Sequence, residues 1–123
     1  NHQLNGVNNG WQPMERNKRV ALVERAIELG STFFDTAYGY GDGESEEILG
    51  TGIRNSGASN KVQVCTKISV TNLDGNGGCN WRSFEKTIQK SLARLNIEKI
   101  DLLLFHSPPQ EFLNLFFLTE FFL

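Results

Sequence analysis

Apolar residues early in the chain recur at helical spacing: within 17–29 the positions Val20, Val23, Ala26 and Ile27 fall on one stripe. Asn17 suits the N-cap of that helix, and Gly30 the position just past its end. The pattern then changes. Residues 31–36 (STFFDT) are β-branched and aromatic and read as a short strand. Residues 38–43 (YGYGDG) form a glycine-rich loop. Ser45 is an N-cap candidate for a second helix, with Glu46 and Glu47 at the positive end of its dipole. That helix runs to about Arg54, weakened by Gly50 and Gly52. Residues 62–68 (VQVCTKI) predict a second strand, and 71–80 a loop. Asn80 suits the cap of a third helix whose apolar face is Phe84, Ile88, Leu92 and Leu95. Residues 100–105 (IDLLLF) are almost unbroken in apolarity, which suits a strand covered on both faces.

Helix and strand therefore alternate. Strand starts near 31, 62 and 100 lie about one βαβ unit apart. This predicts an α/β fold with a parallel sheet and helices outside it. Three strands alone leave a doubly wound sheet and part of a (β/α)₈ barrel both open. Gly39–Gly43 imitates a dinucleotide-binding turn, but G-x-G-x-x-G needs glycine at 44, where Glu44 stands.

Composition narrows the class. A chain of 123 residues suffices for one domain with one core. Net charge is −2 without a basic stripe, so no nucleic-acid footprint is read. Cys65 and Cys79 match no metal-ligand spacing; no metal site is expected, and a reducing, cytoplasmic protein is. Residues 1–13, rich in Asn and Gly, read as loop. The apolar tail at 110–123 is interrupted by Glu111, Asn114, Thr119 and Glu120. It falls short of the roughly 18 apolar residues that span a bilayer, so no membrane segment is expected.

Chemistry in parallel sheets gathers at the C-terminal ends of strands. Each predicted strand ends on a polar group: Asp35, Lys67 and His106, with Tyr40 in the loop past Asp35. Alternation places Phe33 with Asp35, Gln63 and Cys65 with Lys67, and Leu102 and Leu104 with His106. If those faces meet, the polar groups converge. A cation beside a phenol favours phenolate, and a carboxylate holds the lysine charged. A phenol tuned in this way gives a proton to a carbonyl oxygen, and a neutral histidine orients that oxygen. None of these residues supplies a hydride, so a redox cofactor must. Taken singly, each has a plainer reading, as a salt-bridged lysine, a turn aspartate or a structural histidine. It is their joint placement that points to catalysis.

Three stretches carry a resemblance. FDTAYGYGDGESEEILG (34–50) resembles the F-D-T-A-x-x-Y-G … S-E-x-x-L-G signature of the aldo-keto reductase superfamily. VCTK (64–67) is similar to that family's lysine-bearing strand, and SLARLNIEKIDLLLFH (91–106) to its S-L-x-R-L … D-L-x-x-x-H stretch. The resemblance implies a (β/α)₈ barrel that reduces aldehydes or ketones with NADPH. It also implies a catalytic tetrad of Asp35, Tyr40, Lys67 and His106, with Tyr40 as proton donor. Asp35 and Tyr40 would border the cofactor; the family's other cofactor-gripping residues have no counterpart in this chain. The expectation is one incomplete domain over 1–123, about three βα units with a first strand expected before Asn1, and an atypical tail at 110–123. Such a chain is expected to be inactive alone. The alternative is a non-catalytic remnant or truncated product of the same fold. A small carbonyl compound is the expected partner; substrate identity and oligomeric state stay open.

Overall fold

The computed structural model describes residues 14–70 and 81–114. The expectations for 1–13, for the loop and Asn80 cap within 71–80, and for 115–123 lie outside the described residues. Within them the order is α1 (Arg16–Glu28), β1 (Phe33–Asp35), α2 (Glu44–Asn55), β2 (Gln63–Ile68), α3 (Trp81–Leu95) and β3 (Leu102–Phe105). A further helical turn covers 110–114. The strands form one parallel sheet in the order β1-β2-β3.

Two expected caps move. Glu15 occupies the N-cap of α1, and its carbonyl accepts the Arg19 amide at 3.1 Å, so Asn17 lies inside the first turn. At α2 the N-cap is Gly43, with φ +95, and not Ser45. The Ser45 hydroxyl is engaged elsewhere, accepting a 2.9 Å hydrogen bond from Thr36 Oγ1. The end of α1 is as expected. Gly30 has φ +97, its N–H donates to Ile27 O, and Ser31 N–H donates to Ala26 O, which is the paired closure of a Schellman motif.

The strands are shorter than their apolar runs, for identifiable reasons. Ser31 closes α1, and Thr32 O accepts from Gln63 N–H before β1 begins. Ahead of β3, Asp101 uses its side chain: Oδ2 accepts the Val64 amide at 2.9 Å while its own N–H donates to Val64 O at 3.0 Å. The hydrogen bond to the Val64 amide, helped by Lys99, holds the Asp101 carboxyl below the usual carboxylate range.

The helices cover one face of the sheet. Leu49, Ile53, Ala58, Val62, Val64 and Leu95 form the buried cluster, with Val23, Ile27 and Phe34 packed on it. The other face leaves Phe33, Leu102 and Leu104 exposed among the described residues, while Cys65 on the central strand is buried there. Among the described residues β3 is covered on one face: Leu103 and Phe105 are partly buried, while Leu102 and Leu104 are exposed. Phe105 stacks edge-on with Phe84 of α3 and with Phe112, at ring separations of 5.9 and 5.1 Å.

The glycines that weaken α2 as a helix make its packing possible. A Cβ on Gly50 would lie 2.0 Å from the carbonyl oxygen of Leu95, which already accepts from Arg54 at 2.9 Å. Gly50→Ala gains about 1 kcal/mol of helix propensity. We expect it nonetheless to destabilise the protein by roughly 1–3 kcal/mol net, because backbone must move. Urea unfolding measures this, and a stabilised variant would contradict the close α2–α3 approach.

Candidate active site

The sheet register puts Asp35 beside Cys65 and Lys67 beside Leu104, all on the face that carries Phe33. The ladder continues past the strand ends. Thr36 N–H donates to Cys65 O, Tyr38 N–H to Lys67 O, and His106 N–H to Ile68 O. These bonds carry the three chain segments out at one end of the sheet and fix where their side chains start.

There the four expected residues come together. Lys67 Nζ lies 2.7 Å from both carboxylate oxygens of Asp35, 3.1 Å from Thr36 O and 3.2 Å from the Tyr40 hydroxyl. Its ammonium is also 4.9 Å from the centroid of the Tyr40 ring. The rings of Tyr40 and His106 meet edge to face at 5.7 Å. Gly39 allows that approach, since a Cβ there would lie 3.1 Å from His106 Cε1. Tyr38 has a different neighbour: the Arg94 guanidinium lies over its ring, 4.7 Å from the centroid. Of the two tyrosines in the loop, only Tyr40 reaches the lysine.

The electrostatics favour a persistently charged pair. The hydrogen bond from Lys67 holds the Asp35 carboxyl below the ordinary 3.8, with the Lys67 and His106 charges adding to it against partial burial. Burial pulls the Lys67 pKa down. Its hydrogen bonds to Asp35 and Tyr40 outweigh that and raise it above the ordinary 10.5. Burial also pushes the Cys65 thiol up, and Asp35 reinforces the shift, so Cys65 is a packed neighbour and not a nucleophile.

The signs fix a pH window. The depressed Asp35 contributes stability above its unfolded pKa and loses it as pH falls through the lower folded value. The raised Lys67 contributes below its unfolded pKa and loses it as pH rises through the higher folded value. The stability difference between wild type and Asp35→Asn should therefore shrink as pH drops below 3.8 and vanish only below the lower folded value. Urea titrations from neutral pH to pH ~2 test this, and a gap undiminished in acid would remove the pair from the account.

A second polar cluster behind the loop is absent from the sequence-based expectations. Glu46 is completely buried, and no buried side-chain nitrogen or oxygen among the described residues lacks a partner. Its Oε1 accepts from Thr66 Oγ1 at 2.6 Å and its Oε2 from Arg94 Nε at 2.6 Å, while Arg94 also donates to Ser91 Oγ at 3.1 Å. A cue was available: Glu46, Leu49, Gly50 and Ile53 share one helical face, so the carboxylate lies on the buried stripe.

A three-stranded parallel sheet with helices on one face and polar groups at its C-terminal strand ends matches a segment of a (β/α)₈ barrel. The aldo/keto reductase family model matches residues 4–116, and the chain belongs to that family. It is 35% identical over 96 residues to the oxidoreductase YqkF of Bacillus subtilis and 34% identical over 97 residues to the methylglyoxal reductase YeaE of Escherichia coli. Those matches cover 75% and 79% of this chain, but the chain spans only 31% of the length of either relative. The crystal structure of the thermostable aldo-keto reductase Tm1743 with the inhibitor epalrestat superimposes with a TM-score of 0.68 at 28% identity, over 81% of this chain and 34% of that one. A Klebsiella pneumoniae aldo/keto reductase, crystallised with NADP and acetate, gives 0.67 at 28% identity, over 77% and 31%. Among the described residues no helix is long and apolar enough to cross a membrane.

Proposed function

We propose that this chain supplies the proton-transfer half of an NADPH-dependent carbonyl reductase site, with Asp35, Tyr40, Lys67 and His106 as its catalytic residues. One observation carries the reading: a single ammonium, on Lys67, holds the Asp35 carboxylate and the Tyr40 hydroxyl together, beside the His106 ring.

Asp35 and Tyr40, at the C-terminal end of the sheet, are the residues that would border a reduced nicotinamide. When bound, that cofactor supplies the hydride that the protein cannot. The protein's own groups do the rest. Tyr40 gives its phenolic proton to the carbonyl oxygen as charge builds there. Lys67 stabilises the charge left on the phenol, and Asp35 keeps Lys67 protonated and in place. His106 hydrogen-bonds the carbonyl oxygen and sets its direction. The substrate is an aldehyde or ketone, and the buried, free Cys65 suits a reducing, cytoplasmic compartment.

Turnover belongs to the closed barrel. Phe33, Leu102 and Leu104 line the uncovered face and call for strands opposite them. The described residues leave these side chains exposed, so we expect no turnover until that face is covered. The decisive experiment compares Tyr40→Phe with Tyr38→Phe in the closed barrel, using an aromatic aldehyde and NADPH. Loss confined to Tyr40→Phe sustains the assignment, and loss confined to Tyr38→Phe reverses it.

A further inference from the structure

Arg94 belongs to α3, far along the chain from the loop that bears Tyr40, yet it touches both ends of that loop. Its guanidinium lies 4.7 Å from the centroid of the Tyr38 ring, at the loop's entry. At the exit its Cδ and Nε lie against Gly43, so closely that a Cβ there would sit 2.5 and 2.8 Å from them. Gly43 has φ +95, so glycine serves both the backbone turn and the close approach. Between these points the loop is closed by its own bonds. Gly43 N–H donates to Tyr38 O at 2.8 Å, and Ser45 N–H donates to Tyr40 O at 3.2 Å.

Arg94 is itself held by hydrogen bonds to Glu46 and Ser91. Nε donates to the buried Glu46 carboxylate, which Thr66 of β2 secures from the other side. Thr66 immediately precedes Lys67, so one network grips the strand carrying the ammonium and the loop carrying the phenol. A planar, stacked, buried-paired guanidinium is a geometry that lysine cannot reproduce.

We propose that Arg94 is a positioning residue for the Tyr40 hydroxyl. Clamped by Glu46, it fixes the 38–43 loop against β2 and so sets the Tyr40–Lys67 distance, without touching substrate. This rests on the reductase reading above.

The test is Arg94→Lys, which keeps a cation for the buried Glu46 while losing the stack on Tyr38 and the flat contact with Gly43. Arg94→Ala leaves Glu46 buried and unpaired and is the poorer probe. In the closed barrel, Arg94→Lys should lower kcat by about 10- to 100-fold, the scale on which remote misplacement of a reacting group acts. KM for the aldehyde and the NADPH dissociation constant should stay near wild type. Tyr38→Ala should move kcat the same way. Tyr38→Phe, which keeps the ring, should retain most activity. Hydrogen exchange supplies a readout independent of turnover: the Gly43 and Ser45 amides should exchange faster in Arg94→Lys, with the amides of β2 unchanged. Wild-type kcat in a folded Arg94→Lys overturns the proposal, as does unchanged protection at those two amides. If Tyr40→Phe keeps full activity, the reductase reading falls, and the exchange data still decide the clamp.

Discussion

Tyr40→Phe in the closed barrel is expected to lower carbonyl reduction by about 10²–10⁴-fold, the range over which a positioned general acid contributes. The substitution removes one oxygen and leaves the ring, so the edge-to-face contact with His106 survives. What disappears is the hydroxyl 3.2 Å from Lys67 Nζ. Cofactor binding should persist, since the Lys67–Asp35 pair is untouched, and the loss should appear in kcat. Lys67→Met should fall in the same direction through a different route. It removes the charge opposite the phenolic oxygen and leaves the half-exposed Asp35 carboxylate without its cation. Tyr38→Phe is the internal control, because its ring lies against the Arg94 guanidinium and Tyr40 is the tyrosine bonded to Lys67. Steady-state kinetics on the three purified variants, each checked for folding by circular dichroism, measure these outcomes. A Tyr40→Phe enzyme within a factor of a few of wild type would exclude the phenol as proton donor.

The clustering of the candidate residues was legible because it depends on two simple regularities. Parallel strands end at a common edge, and residues two apart share a face. Asp35, Lys67 and His106 follow those rules, and they meet. The alternation that grouped Phe33, Cys65 and Leu104 with them holds in the register as well. Caps were less legible. Asn17 and Ser45 have the right chemistry, but capping depends on where the chain enters the helix, which tertiary contacts decide. Ser45 is drawn to Thr36 across the loop, a contact that helical periodicity does not encode. The glycines of α2 misled for the same reason: propensity counts their cost, while their use is the carbonyl of Leu95 and the side chain of Val23 on neighbouring helices. The burial of Glu46 was the largest omission. In a helix's first turn an acid reads naturally as a dipole partner, and Glu44 and Glu47 behave so, pairing at the surface with Arg19 and Arg16. Its partners Thr66 and Arg94 are 20 and 48 residues away, beyond the reach of periodicity.

That buried acid sets the second large effect. Glu46→Ala is expected to destabilise the protein by about 3–5 kcal/mol, the cost of breaking a buried ion pair by removing one partner. Three losses combine. Arg94, whose side chain is 19% exposed, keeps a charge with no counter-ion. Thr66 Oγ1, fully buried, loses the acceptor it reaches at 2.6 Å. A cavity opens between α2, α3 and β2 where the carboxylate stood. Against a typical domain stability of ~5–15 kcal/mol, this is a large fraction. The neighbouring surface pairs provide the contrast: Arg16–Glu47 and Arg25–Glu28 are roughly half exposed or more, and deleting either should cost no more than about 1 kcal/mol. Urea unfolding of Glu46→Ala, Arg94→Ala and the double variant closes the cycle. The double variant should be less unstable than the two single losses added, because it buries no unpaired charge. A Glu46→Ala protein within about 1 kcal/mol of wild type would show that the pair is solvated in solution and that the loop bearing Tyr40 is held by other means.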